Sequence, residues 1–213
     1  MGGLTYQELS GLVQGRRFTE PVLDIAEFTA DTGVEAGMVV YKDHDGSISV
    51  SEVIKPDKEY QDRIRESDDD PALAGSPEVN LGRLIADSEL NLRLDLALIG
   101  HSHPLLHHLR RNPRSMLMPS ATDLLNFSEH VSFNPGLIGG TIATHRDLGG
   151  VALFLWRGGP EFAPQRLQNL RPGMVINEAR LTGAGLRTAT LAYNRRTGDI
   201  HSGLESLYHL FDQ

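Results

Sequence analysis

Two histidines, His101 and His103, stand on either side of one serine at the end of the apolar run 94–99. If that run is a β-strand, alternate side chains share a face, so both imidazoles point the same way. Pro104 disfavours helical backbone angles at His103 and therefore favours an extended chain there. Two co-facing imidazoles and one carboxylate, for which Asp123 is the candidate, are the protein ligands that a catalytic zinc takes, with a fourth position for water. The alternative is a pair of histidines that only face solvent at a strand end.

The candidate carboxylate also fits a structural role. The segment from Ser120 to Asp123 matches a helix capping box in which Asp replaces the usual Glu, and an acid in the first turn offsets the helix dipole. Local sequence favours capping over metal binding for Asp123, although one side chain at a helix start can do both. Ser120 is then the N-cap of a helix over 121–130. Ser102, between the histidines, points to the opposite strand face, which predicts a structural role.

The arrangement of these residues resembles the signature of the JAMM (MPN+, JAB) family of zinc metallopeptidases. The elements of the resemblance are His101-Ser102-His103-Pro104, followed downstream by Ser120 and Asp123. In order along the chain, the resemblance covers roughly residues 20–157. It implies that His101, His103 and Asp123 bind a zinc ion. It also implies that Ser120 hydrogen-bonds the tetrahedral intermediate, as an oxyanion stabiliser does.

The resemblance further implies a glutamate that acts as a general base. Family members use an upstream glutamate, often in a Glu-x-Gly setting, to activate a water whose pKa zinc lowers to about 7. Glu35-Ala36-Gly37 fits that setting and opens the apolar run 38–41. Glu52, in the next β-prone run, has no such setting and is the second candidate.

One interval departs from the family pattern. Residues 104–122 separate His103 from Asp123, which is more than is typical. We interpret the extra segment, approximately 105–118, as a loop that returns Asp123 to the metal, because loops tolerate insertions at a modest entropic cost. It is either a solvated loop or a flap over the zinc that contacts an acidic or C-terminal segment of the substrate. Its basic residues are His107, His108, Arg110, Arg111 and Arg114.

The composition narrows the class of protein further. The 213 residues suffice for one sizeable domain, and a net charge of −8 argues against a general nucleic-acid binder. No apolar run is long enough to cross a bilayer and no secretory signal is visible, which predicts a cytoplasmic protein. Because the chain has no cysteine, disulfides, thiol nucleophiles and cysteine-based zinc sites are excluded. Any metal must therefore use His, Asp or Glu.

Around the candidate site, the pattern predicts an α+β fold with a mixed β-sheet flanked by helices. The resemblance implies one JAB/MPN-like domain over residues 1–170, with a C-terminal hairpin extension, 171–213, packed on the same domain. Gly139 and Gly140 are interpreted as bends or close-packed strand positions. Helices are expected over 4–13 with Thr5 as the cap, over 80–90 and over 121–130. Strands are expected over 21–28, 38–41, 48–54, 94–99, 139–143, 151–156, 188–193 and from 200 onward.

These observations predict a zinc-dependent metallopeptidase or isopeptidase with Zn²⁺ as its cofactor. By resemblance to the family, the substrate is a peptide or the C-terminus of a ubiquitin-like protein joined to a lysine or another group. Two other functions remain open, a non-catalytic MPN-type scaffold and a RadC-like protein with a related pattern. The acidic charge, and Ser102 rather than Asn between the histidines, argue against the RadC-like interpretation. No membrane partner is predicted, and a homo-oligomer remains open.

Overall fold

The computed structural model describes residues 3–56, 58–59, 94–103, 117–145, 150–171 and 174–211. Within these residues the chain forms a mixed α+β fold around one curled, seven-stranded sheet. The helix predicted over 80–90 and nearly all of the 105–118 segment lie outside the described residues. No helix in the described ranges is long and apolar enough to span a lipid bilayer.

Seven strands form the central sheet: β1 (Gly37–Asp43), β2 (Ile48–Val50), β3 (Leu94–Ser102), β4 (Ile138–His145), β5 (Gly150–Gly158), β6 (Leu186–Asn194) and β7 (Ile200–Ser202). Their order in the sheet is β2-β1-β3-β4-β5-β6-β7. β3 and β4 are parallel, and the other neighbouring strands are antiparallel. Each run predicted as a strand from residue 38 onward contributes to one of these strands. β6 and β7, from the predicted C-terminal extension, therefore belong to the same sheet as the candidate site.

The helices of the described residues are α1 (Tyr6–Gln14), α2 (Arg16–Thr32), α3 (Ala121–Phe133) and α4 (Glu178–Gly183), with 3₁₀ helices at Pro164–Leu167 and Leu204–Leu210. The two predicted N-caps are confirmed. Thr5 caps α1 and Ser120 caps α3, each through a capping box in which side chain and backbone bond reciprocally.

The strand predicted over 21–28 is wrong, because that segment lies inside α2. Buried residues of α2 recur every three or four positions, at Phe18, Val22, Ile25 and Thr29. This spacing is the helical period, with one apolar stripe facing the core. The segment 21–28 spans only about two helical turns, too few for its apolar residues to distinguish the helical period from strand alternation.

Helices cover both faces of the sheet. On one face, α1, α2 and the C-terminal 3₁₀ helix pack on an apolar core that includes Phe18 and Leu98. On the other face, α3, α4 and the first 3₁₀ helix pack on a core that includes Leu124 and Trp156. Leu98 of β3 belongs to the first core and Ile99 packs against the second, as alternation along a strand requires. β3 therefore has the α2 side of the fold on one face and the α3 side on the other.

The parallel pair β3–β4 determines where α3 begins. Parallel neighbours need a crossover connection, and the described part of this connection contains α3. Because α3 runs back towards the start of β4, its N-terminus lies near the C-terminal end of β3.

Candidate metal centre

The end of β3 carries both histidines on the face that α3 covers. β3 continues through His101 to Ser102, and His103 is the first residue after it. The imidazoles are adjacent, with 3.0 Å between their Nε2 atoms and 4.9 Å between their ring centres. His101 is buried, with 7% of its surface exposed, and His103 is half-buried. The pair therefore does not simply face solvent.

The first turn of α3 brings the third predicted ligand to the same place. Asp123 Oδ2 lies 3.1 Å from His103 Nε2, and Asp123 Oδ1 lies 3.3 Å from His101 Nε2. Ligand atoms of the three residues all lie within 4.8 Å of one another. The carboxylate of Asp123 therefore lies beside both imidazoles.

Asp123 caps its helix at the same time. Its Oδ2 accepts the Ser120 N–H at 2.6 Å, and its own N–H donates to Ser120 Oγ at 3.1 Å. These two bonds hold the carboxylate in the first turn of α3. A carboxylate has about four lone-pair sites, so the cap leaves acceptor capacity for the histidines. The cap and the contact with the histidines coexist in one side chain.

The Asp123 carboxyl is held in its ionised form. Burial by itself raises its pKa, but the charge and hydrogen bonds of His101 and His103 outweigh burial and hold the pKa well below its ordinary value of 3.8. Only 19% of the Asp123 side chain is exposed. A partly buried carboxylate beside two imidazoles is an environment in which a metal cation can replace protons.

The interatomic distances are compatible with a tetrahedral metal shell. Zinc binds imidazole nitrogen and carboxylate oxygen at about 2.0–2.2 Å, so neighbouring ligand atoms of a tetrahedron lie about 3.3–3.6 Å apart. The three separations here are 3.0, 3.1 and 3.3 Å, at or slightly below that range. Small outward rotations of the side chains would complete the fit. The group of His101, His103 and Asp123 could therefore bind a metal ion, and its donor set is compatible with zinc.

Metal binding would dictate the proton positions on both imidazoles. Each Nε2 must offer its lone pair, so each ring must be neutral with its proton on Nδ1. Without a metal, two Nε2 lone pairs and a carboxylate at these distances would repel one another. At least one proton must then lie among the three groups, and a bound metal ion would displace it.

The predicted base, Glu35, immediately precedes the first strand of the sheet. The antiparallel pairing of β1 and β3 extends by one residue pair, because the Ser102 N–H donates to Ala36 O at 2.9 Å. One further step of the same register would set Glu35 opposite His103. Because directly opposite residues share a face of a sheet, the register predicts that the half-buried Glu35 shares a face with the imidazoles. It is not one of the three residues with mutually close ligand atoms, which suits a base better than a ligand.

The rival base and the predicted oxyanion donor are both exposed. Glu52 follows β2 and lies on the side of β1 that faces away from β3. Ser120 uses its hydroxyl oxygen to accept the Asp123 N–H. A hydroxyl that accepts one bond still has its own proton to donate, so the cap does not prevent Ser120 from stabilising an oxyanion.

The sequence predicted a structural role for Ser102 but not its partners. The Ser102 hydroxyl is buried and contacts both Ala36 and the hydroxyl of Thr29 in α2. The contact with Thr29 was missed because α2 itself was not recognised. The helical spacing of Thr29 from Val22 and Ile25 is the signal that would have placed it on the face towards the sheet.

Comparisons with known proteins assign no family to the chain. No protein-family model matches it, and no curated protein matches it. Only the residues of the site and their geometry therefore point to a function.

Proposed function

We propose that this protein is a zinc-dependent metallopeptidase that hydrolyses an amide or isopeptide bond. One observation carries the proposal: ligand atoms of His101, His103 and Asp123 lie within 4.8 Å of one another. Two nitrogen donors and one oxygen donor, with a position left for water, are typical of a catalytic rather than a structural zinc site. The three residues are also those that the JAMM-type signature marks as ligands.

We propose a JAB/MPN-type fold on the same grounds. The mixed sheet with helices on both faces is consistent with it. The motif elements also fall at element ends, where side chains from different parts of a fold can meet. Glu35 precedes β1, the histidines end β3, and Ser120 begins α3. A fold of this class hosts other functions as well, so the activity depends on the residues of the site.

Each residue of the site can have a separate role in amide hydrolysis. A bound zinc ion would polarise the scissile carbonyl and lower the pKa of the attacking water to about 7. Glu35 would take a proton from that water as its oxygen attacks the carbonyl carbon, and would pass the proton to the amine as the C–N bond breaks. Ser120 would donate its hydroxyl proton in a hydrogen bond to the oxyanion. Asp123 would remain a carboxylate throughout, because its pKa is held well below the ordinary value.

For the substrate we propose a peptide or a ubiquitin-like protein joined through its C-terminus to a lysine or another group. This follows from the resemblance to JAMM-type isopeptidases. The net charge of −8 favours a protein over a nucleic acid as the partner. The absence of cysteine is consistent with a reducing compartment, and we propose the cytoplasm.

The test combines metal analysis with a cleavage assay. Wild type, His103→Ala and Glu35→Gln are loaded with zinc, and bound zinc per chain is measured. Hydrolysis of a ubiquitin C-terminal amide and of an isopeptide-linked ubiquitin dimer is then followed. We expect His103→Ala to lose both zinc and activity. Glu35→Gln should keep zinc and lose activity about 10²–10⁴-fold, the usual contribution of general acid–base catalysis.

Glu52→Gln is the matched control, since it removes the same charge from an exposed position beyond β1. It should change neither zinc content nor activity. A wild type that binds no zinc, or activity that survives both site substitutions, would overturn the proposal. Zinc binding without hydrolysis of either substrate would favour the non-catalytic scaffold.

A further inference from the structure

Ser102 joins the histidine strand to the segment that carries Glu35. It is the last residue of β3 and is 1% exposed. Its side chain points away from the imidazoles, towards α2. There the hydroxyl oxygen accepts the Ala36 N–H at 3.0 Å and lies 3.2 Å from Ala36 O, to which it can donate. One hydroxyl thus bonds both backbone polar groups of Ala36.

The Ser102 hydroxyl accepts a hydrogen bond that a backbone carbonyl normally accepts. In an antiparallel sheet, a hydrogen-bonded pair of residues exchanges two N–H···O=C bonds. Here the Ser102 N–H donates to Ala36 O at 2.9 Å, but the Ala36 N–H donates to Ser102 Oγ. The side chain therefore completes the last rung of the β1–β3 ladder. An alanine at 102 would leave the buried Ala36 N–H without this acceptor.

The hydroxyl of Thr29 completes the hydrogen-bond balance. Thr29 Oγ1 is in short contact with Ser102 Oγ, and Thr29 is 5% exposed. If Thr29 donates to Ser102, the serine oxygen accepts two bonds and its single proton goes to Ala36 O. This arrangement uses the full capacity of the serine hydroxyl. It also connects the last turn of α2 to the rung beside Glu35.

We propose that Ser102 is a positioning residue that fixes Glu35 in relation to the metal-binding histidines, an inference that rests on the proposed function. Ala36 is covalently attached to Glu35, and Ser102 to both histidines. The rung between Ala36 and Ser102 therefore joins the segment that carries the base directly to the strand that carries the ligands. A displacement of about 1 Å at a catalytic group can lower the rate about 100-fold.

The test compares Ser102→Ala with a matched control and a rescue variant. Ser206→Ala is the control, because the Ser206 hydroxyl also contacts both backbone polar groups of one residue: it accepts the Thr190 N–H at 3.1 Å and lies 3.1 Å from Thr190 O, with Gly203 O as a nearer acceptor at 2.6 Å. Thr190 lies in β6, three strands away from β3. Ser102→Thr is the rescue, because it keeps the hydroxyl at a residue that lines a small cavity.

For each variant, zinc affinity, kcat, KM and hydrogen exchange at the Ala36 amide are measured. We expect Ser102→Ala to lower kcat about 100-fold with little change in KM or zinc affinity, and to speed exchange at Ala36. Ser102→Thr should restore kcat and slow exchange at Ala36, and Ser206→Ala should change neither kcat nor that exchange. If kcat falls equally in Ser102→Ala and Ser206→Ala, the loss of activity comes from general destabilisation of the protein, and the proposal is overturned.

The exchange measurement separates this inference from the proposed function. If the wild type binds no zinc or hydrolyses neither substrate, the proposed function is wrong, and the Ala36–Ser102 pair has no catalytic group to position. If the wild type is active and Ala36 exchanges equally slowly in Ser102→Ala, the proposed function stands and the positioning role is wrong.

Discussion

Asp123 caps its helix through Ser120 and also contacts the two histidines. The substitution Asp123→Asn should separate these two roles. The asparagine side-chain oxygen can still accept the Ser120 N–H, which the carboxylate accepts at 2.6 Å, so the helix remains capped. The anionic oxygens that lie 3.1 and 3.3 Å from His103 and His101 are lost. We therefore expect α3 to persist while stabilisation of the protein by zinc decreases.

The size of the effect follows from ligand linkage. With free zinc at about a thousand times its Kd, binding to the folded protein alone adds about 4.1 kcal/mol of stability. Losing an outer-shell partner weakens metal binding about 10–100-fold, so losing a direct ligand should weaken it at least about 100-fold. About 1.4 kcal/mol of stabilisation then remains. The difference of about 2.7 kcal/mol corresponds to roughly 5–10 °C in Tm for a chain of this size.

The assay is thermal unfolding, followed by circular dichroism with and without zinc, and it has two controls. Glu8→Gln alters the equivalent position of the α1 capping box, where Glu8 Oε2 accepts the Thr5 N–H at 2.7 Å. It should lower Tm, partly because Glu8 also pairs with Lys42 at 2.8 Å, without changing the shift that zinc produces. Ser120→Ala should cost about 1 kcal/mol through loss of the cap and also leave the zinc shift intact.

If Asp123→Asn shows the full wild-type shift in Tm with zinc, Asp123 is not a metal ligand. Asp123 would then be a helix cap that happens to lie beside the histidines. A zinc shift that decreases equally in Glu8→Gln would contradict the ligand role as well, because the effect would then come from helix capping in general.

Four further predictions concern the histidines, the pH dependence of zinc affinity and of stability, and the packing beneath the site. His103→Ala should keep its far-UV circular dichroism spectrum but lose stoichiometric metal in elemental analysis. Zinc affinity measured by calorimetry should fall as pH falls, because protons compete for the imidazole nitrogens. The depressed pKa of Asp123 stabilises the metal-free protein above its ordinary value of 3.8, and urea titrations should show this stabilisation disappearing below that pH. Gly139→Ala should destabilise by about 1–3 kcal/mol in urea, since the new Cβ would lie 2.2 Å from the Trp156 ring; an unchanged midpoint would contradict the packing.

Local sequence patterns predicted the parts of the fold that depend on nearby residues. The caps at Thr5 and Ser120 and the strand over 94–99 were predicted because capping and alternation involve residues within a few positions of one another. The close-packed position at Gly139 is confirmed by the Trp156 ring against it. The same reliance on a short window produced the error at 21–28, where the helical period becomes clear only over the longer α2.

The assembly of the site could not be predicted in the same way. Local sequence left Asp123 between a cap and a ligand, and favoured the cap. The position of Asp123 beside His103 follows from the parallel pairing of β3 and β4, with α3 in the crossover. The buried contact of Ser102 with Thr29 likewise depends on the packing of α2 against the sheet.

By itself, the sequence determined which chemistry is available to this protein. A chain without cysteine must bind metal through histidine and carboxylate, and strand alternation puts His101 and His103 on one face. The tertiary structure determined which groups meet, because the packing of α3 over the end of β3 brings Asp123 to the histidines. The physical reason is that donor type and side-chain alternation are local properties. Contact between distant residues requires loops to close and whole elements to pack, and no short segment contains that information.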